Sequence, residues 1–249
     1  MKKISLSIAG KYLGFAFVFA ATALFFGFNI VRWLGDTSPL NNISASTAAD
    51  CVIVIDPGHG GEDGGASVDG VMLEKDVNLA ISSDLAAIMR IAGFDVRMTR
   101  EDDRMLYDLY SDSGYESHKK AYDLKNRLRF TKDAGASMLI SIHCNKFPEA
   151  KYKGMQVFYS PHTAESAEIA ETLKLYNQQY RETDNKRETK RGTSAIYLLD
   201  HAEMPAVLIE CGFLSNPDDA AKLTSSDEQA KIAVVIFSAI SAYLMDQKS

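Results

Sequence analysis

Cysteine is scarce in this chain of 249 residues: there are three, Cys51, Cys144 and Cys211, an odd number that excludes a disulfide scaffold. Each lies in or beside an apolar run, so small buried hydrophobes are the default reading, with a thiol ligand or a Cys144–Cys211 disulfide as alternatives. Neighbouring strand residues face opposite sides, which sets these thiols apart from the polar residues that directly precede Cys144 and Cys211. Histidine numbers only five, so few imidazoles are available for chemistry. Positive charge does not predominate either. The formal net charge is −6, and Lys2, Lys3, Lys11 and Arg32 all lie near the start, leaving the remainder more acidic still. That balance argues against a nucleic-acid partner. The serine-hydrolase elbow G-x-S-x-G is missing, as are the phosphate loop GxxxxGK[ST] and a GxGxxG running directly into a helix. Internal repeats and a second domain are missing too.

One long apolar run is present. No charged residue occurs from Tyr12 to Val31, a stretch of the length that crosses a bilayer as a helix, and the lysines before it predict a cytoplasmic amino terminus. Residues 1–35 are therefore expected to form a short cytoplasmic stub and a transmembrane signal-anchor, 36–49 a flexible Ser/Thr/Asn-rich tether, and 50–249 an extracytoplasmic domain. Secretion after signal cleavage is the alternative, although the small residues Ala45 to Ala49 lie far beyond the apolar core.

The domain opens on CVIVIDPGHGGEDGG, Cys51 to Gly65, where a β-branched run stops at a glycine-rich turn carrying His59. Glu74 starts a helix whose stripe is Val77, Ile81, Leu85 and Ile88, with Gly93 as its stop. Further strands are expected at 94–99, 137–143, 154–159, 194–199 and 206–209. Helices are expected at 119–134, after the cap Thr163 with Ile169, Leu173, Tyr176 and Tyr180 inward, at 217–223, and after a capping box of Ser226 and Gln229. Residues 100–117 form a long polar loop, and 181–191 a mixed-charge run in which Lys186, Arg187, Lys190 and Arg191 could clamp a substrate carboxylate. Alternation of strands and helices predicts a single α/β domain with a mostly parallel, helix-covered sheet.

His59, His143 and Glu210 each follow a strand, and Glu74 opens the helix after the first, so all four can reach one edge of the sheet, where open α/β sheets bind ligands. Taken singly, a histidine in a glycine-rich loop is as readily structural, and an acid in a first helical turn complements the helix dipole. Taken together, two imidazoles and a carboxylate make a three-ligand zinc site, with a second carboxylate as general base.

DPGHGG at 56–61, EKD at 74–76, SIHCN at 141–145 and ECGFLSN at 210–216 resemble the zinc-dependent N-acetylmuramoyl-L-alanine amidases of bacterial cell walls. The resemblance implies a six-stranded α/β domain, one zinc ion held by His59, Glu74 and His143, and Glu210 as the catalytic glutamate. KFPEAKYKGMQVFYS at 146–160 and the anchor without wall-binding repeats are most similar to the germination-specific amidases. That likeness implies removal of stem peptides in spore cortex on the way to muramic δ-lactam, with peptidoglycan as substrate and an activating lipoprotein or other protein as a further partner. Within the resembled family some division amidases insert an inhibitory helix at the place of residues 145–154, a segment too short here to hold one, so no built-in plug is expected. A vegetative-wall amidase, a zinc carboxypeptidase acting on stem peptides and a non-catalytic wall-binding module are the alternative readings.

Overall fold

The computed structural model describes residues 51–68, 72–110 and 115–247. The expected anchor within 1–35 and the tether 36–49 lie outside the described residues. Strand β1 (Val52–Pro57) is followed by a small antiparallel hairpin, β2 (Ser67–Val68) and β3 (Met72–Leu73), and by helix α1 (Glu74–Ile91). Then come β4 (Asp95–Met98), a 3₁₀ turn at Tyr115–Ser117, α2 (Lys119–Asp133), β5 (Met138–Asn145), β6 (Gln156–Tyr159) and α3 (Ala164–Tyr180). The remainder is β7 (Lys190–Arg191), α4 (Tyr197–His201), β8 (Ala206–Phe213), α5 (Pro217–Leu223) and α6 (Ser226–Asp246).

Six strands form one sheet in the order β4-β1-β5-β8-β6-β7. The four strands from β4 to β8 run parallel, while β6 runs antiparallel to β8. The reversal has a local cause: the connection 146–155 holds no helix, and a parallel return needs a crossover of a dozen or more residues. The central strands are apolar on both faces because helices cover both. Ile53, Ile55, Leu139, Ile140, Ile142, Val207 and Ile209 are all buried. Helix α6 is long and apolar enough to cross a membrane by length and composition, but Ile232, Ile236, Ile240 and Tyr243 are buried, and the helix packs on α1 and α3 as a core element.

Three expectations are corrected. Residues 194–199 do not form a strand; 197–201 are helical, and the sixth strand is Lys190–Arg191. Leu198 and Leu199 are both buried against Leu128 and Ala206, which consecutive residues of a half-covered edge strand could not achieve. The cap of α6 is Ser225, not Ser226; its side chain makes no capping bond, and Gln229 Nε2 instead donates to Leu223 O at 2.7 Å. On α3, Tyr180 is 62% exposed and Asn177 takes the buried position, donating to Glu182 Oε2 at 2.9 Å. Thr163 does cap α3, accepting from Ser166 N.

The core also holds charge. Asp56 on β1 and Arg127 on α2 pair at 2.7 Å, with side chains 1% and 2% exposed. Asp56 Oδ1 accepts from Thr99 and Oδ2 from Ser141, at 2.6 and 2.7 Å. Burial opposes ionisation of this carboxyl, but Arg127 and the two hydroxyls prevail and hold it down at about 2. Its folded value is depressed, so its contribution to stability is present above the ordinary carboxylate range and lost as pH falls toward about 2. Arg127→Met leaves Asp56 charged in the interior with only the two hydroxyls as partners. It should cost about 3–5 kcal/mol in urea unfolding at pH 7, and adding Asp56→Asn should recover part of that loss; a cost under about 1 kcal/mol would refute the pairing's role.

Candidate metal centre and active site

The loop after β1 is held by two buried arginines. Arg127 Nη1 donates to Pro57 O at 2.8 Å and Nη2 to His59 O at 2.6 Å. Arg100 Nε donates to Pro57 O at 3.0 Å, and its Nη2 to Gly58 O at 3.0 Å and Lys75 O at 2.8 Å. Lys75 adds a third tie, with Nζ donating to Gly61 O at 2.9 Å and pairing with Asp103 at 2.7 Å. These contacts over-determine the backbone, and His59 itself adopts a left-handed φ of 64°. For a residue with a Cβ that conformation is uncommon, and it concentrates at functional sites.

Strain and tethering aim the ring. Asp63 Oδ2 lies 2.9 Å from His59 Nδ1, which turns Nε2 toward Glu74 Oε1 at 3.2 Å. His143, near the end of β5, brings Nδ1 within 3.0 Å of the same oxygen. Glu74 is buried on the inward face of α1, one turn before Val77 of the apolar stripe. Its Oε2 accepts from Ala66 N at 2.8 Å, and its Oε1 from Cys144 N at 3.1 Å and Asn78 Nδ2 at 3.3 Å. One donor atom from each of His59, Glu74 and His143 lies within 4.8 Å of the others, close enough to hold a metal ion. Glycine makes the close approach possible: a Cβ at Gly58 would sit 2.2 Å from His143 Cε1, and one at Gly65 would sit 2.6 Å from Glu74 Oε2.

Glu210 is the residue of β8 directly opposite His143 in β5. Its Oε2 is buried with no hydrogen-bond partner. Burial raises its pKa to about 7, with neighbouring Glu74 adding to the rise and both imidazoles opposing it. Burial works against a charged His59, but hydrogen bonds to Asp63 and Glu74 and their charges outweigh it and lift the ring to about 9. Glu74 moves the other way: desolvation resists its charge, yet bonding to His143 and His59 holds it well below the usual range. The cluster thus has two carboxylates in opposite conditions, one saturated with donors and one bare, which is how acid and base roles become separated.

All four residues expected at the site converge there. Cys144 and Cys211 do not join them; both are free and buried, and burial pushes both thiols up. The basic run divides: Lys190 and Arg191 lie on β7, with Lys190 over the Phe158 ring, whereas Lys186 and Arg187 line a recess near β8. Arg100, Arg127, Asp56, Asp63 and Asn78 were not singled out in the sequence. An available signal was the acid interrupting the apolar run of β1, which demands a buried cation. Because the left-handed backbone at 59 costs roughly 1 kcal/mol with a Cβ present, metal-free His59→Gly should be more stable than His59→Ala by about that amount. Urea denaturation checks this, and equal stability would show that the backbone is unstrained.

The model of a family described as N-acetylmuramoyl-L-alanine amidase matches residues 53–242. The germination-specific N-acetylmuramoyl-L-alanine amidase of Bacillus subtilis (strain 168) is 37% identical over 196 residues, covering 79% of this chain and 81% of that protein. LytC of the same organism is 30% identical over 195 residues, 77% of this chain and 35% of its own longer chain. The CwlD amidase of Clostridioides difficile, solved in complex with the GerS lipoprotein, superposes with a TM-score of 0.72 at 38% identity, covering 78% of this chain and 98% of that one. AmiC2 of Nostoc punctiforme gives 0.67 at 29% identity, with 79% and 98% covered. With its matched span running from β1 into α6, this chain belongs to the N-acetylmuramoyl-L-alanine amidase family and is an enzyme of that kind.

Proposed function

We propose that this amidase cleaves the amide between the lactyl group of N-acetylmuramic acid and L-alanine in peptidoglycan, using one zinc ion held by His59, Glu74 and His143, with Glu210 as general base. The observation that carries this reading is the placement of three mutually close donor atoms beside a buried, unpartnered carboxylate oxygen. Two imidazoles and one carboxylate are a zinc donor set that leaves a position open, and Asp63 behind His59 supplies the outer-shell acceptor that fixes a ligating ring. When bound, zinc would supply Lewis-acid polarisation of the scissile carbonyl and acidify water. Glu210 Oε2 takes the proton of the attacking water. As oxygen adds to the lactyl carbonyl carbon and the C–N bond breaks, the same atom delivers that proton to the departing nitrogen of L-alanine.

The likeness to a germination-specific relative and to CwlD supports a role in spore cortex, on the way to muramic δ-lactam. That the CwlD amidase was solved in complex with a lipoprotein supports a protein partner for this chain, which we take to be an activator. Residues 1–35 would anchor the enzyme in the membrane and 36–49 would tether the catalytic domain of 50–249 outside it, a reading that rests on the uncharged stretch from Tyr12 to Val31 and the lysines before it.

Glu74→Ala should lower zinc stoichiometry and amidase rate together. Glu210→Gln should keep its zinc while the rate falls by roughly two decades or more. Atomic absorption paired with release of free stem peptides from peptidoglycan reads both; zinc loss in Glu210→Gln, or retention of zinc and rate in Glu74→Ala, refutes the assignment. Release of terminal D-alanine alone would mark a carboxypeptidase instead.

A second check needs no substrate. Since the folded pKa of Glu210 lies above its ordinary value, ionising it opposes folding, and stability is lost as pH rises through about 7. Metal-free Glu210→Gln should therefore melt higher than metal-free wild type at pH 8, with the gap closing at pH 4. A gap independent of pH would show that Glu210 is not buried as described.

A further inference from the structure

Further along the carboxyl edge of the sheet lies a recess of about 330 Å³. Its cations are Lys153, Lys186, Arg187 and Lys222, and its wall includes Glu182 and Asp219. Asp219 Oδ2 accepts from Gly154 N at 2.7 Å and from Phe213 N at 2.9 Å, so the recess abuts the end of β8. Phe213 is three residues beyond Glu210. At about 3.3 Å per residue, the recess begins roughly 10 Å along the strand from the general base.

The acids of this recess are already engaged. Glu182 Oε2 accepts from Met155 N, Asn177 and Asn185, and Glu182 Oε1 is paired with Arg181. Asp184 faces Lys153 at 3.5 Å. The cations are less engaged: among the described residues, the ammonium groups of Lys186 and Lys222 make no hydrogen bond or ion pair. Arg187 is fixed at its base, with its amide donating to Asn185 Oδ1 and its Nε to Lys153 O, both at 2.9 Å. Its guanidinium lies over the Phe213 ring at 4.5 Å. Among the described residues its two Nη groups have no hydrogen-bond partner. A held, stacked fork with free terminal donors suits a carboxylate.

We propose that this recess is an anion subsite of the enzyme, binding an ionised carboxylate of the stem peptide whose amino end is being released. The proposal rests on the amidase reading above and adds to it what the site selects. An extended peptide advances about 3.5 Å per residue, so a bound stem reaches the recess with its second or third residue. Those residues carry its free carboxylates. Arg187 supplies the directional contact, and Lys186 and Lys222 supply charge that solvent and salt partly screen.

The test uses full-length, zinc-loaded enzyme and two synthetic N-acetylmuramoyl tripeptides, one with every carboxylate free and one with every carboxylate amidated. Wild type should show a KM roughly tenfold lower for the free form, with similar kcat, as one charge-assisted contact would give. The preference should shrink in Arg187→Gln, in the Lys186→Gln, Lys222→Gln double variant, and at high ionic strength. Arg187 also ties down Lys153, so the lysine variants, which lose no structural bond, keep the test independent of folding. Equal KM for the two substrates in wild type, or an undiminished preference in both variants, overturns the subsite. If neither substrate is cleaved, the amidase reading fails instead. In that event calorimetry with the isolated tripeptides decides the subsite, which stands if only the free-carboxylate form binds and falls otherwise.

Discussion

The pairing of Asp56 with Arg127 is the constraint on which the site depends. A buried ion pair adds little net stability, because desolvating both charges offsets most of their attraction, but removing one partner is severe. What this pair determines is position. Asp56 sits within β1 and Arg127 within α2, so their 2.7 Å contact fixes a helix to the sheet, and the remaining guanidinium donors continue to the carbonyls of Pro57 and His59. Asp123, one turn before, holds Arg127 Nε and also accepts from Leu106 N. A single buried cation thus connects the sheet, the helix, the His59 loop and the long segment after β4.

Around that tie, the sheet arranges the chemistry by register. His143 and Glu210 are directly opposite on neighbouring parallel strands, which sets their side chains on one face. Cys144 and Cys211 consequently fall on the other face, buried and free, which accounts for apolar thiols flanking polar functional groups. Glu74 reaches the same point from another element, because α1 begins immediately after the hairpin, and Glu74 N donates to Ala66 O at 2.8 Å. Three independent backbone segments therefore deliver donors to one spot, and glycine at 58 and 65 leaves the room they need.

The site also concentrates unfavourable features: a left-handed histidine, a carboxylate oxygen without a partner, and charges removed from water. Each opposes folding by an amount on the order of 1–3 kcal/mol. They persist because a broad apolar core, with Ile53, Leu85, Ile140, Ile209 and Ile236 fully buried, surrounds the sheet. Such a distribution places rigidity beneath the loop and reactivity at its surface, where a substrate can reach the exposed edges of both imidazoles.

Sequence by itself determined the alternation of strands and helices, because burial on both faces requires continuous β-branched runs and burial on one face requires helical spacing. It also offered His59, Glu74, His143 and Glu210 as candidates, since each stands at or just beyond the end of an apolar strand or at the start of the helix that follows, although singly each could be structural. It did not determine the helix at Tyr197–His201, because a short apolar run satisfies strand and helix alike until its neighbours are known. Nor did it reveal Arg127, whose charge on an amphipathic helix with Leu124, Leu128 and Thr131 on one side reads as solvated. Only the tertiary structure decided that this cation is interior, that Glu74 is saturated with donors while Glu210 is bare, and that Arg187 parts from Arg191 to face a recess. The physical reason is common to all three: a charge takes its role from groups distant in the chain, and folding alone brings those groups within reach.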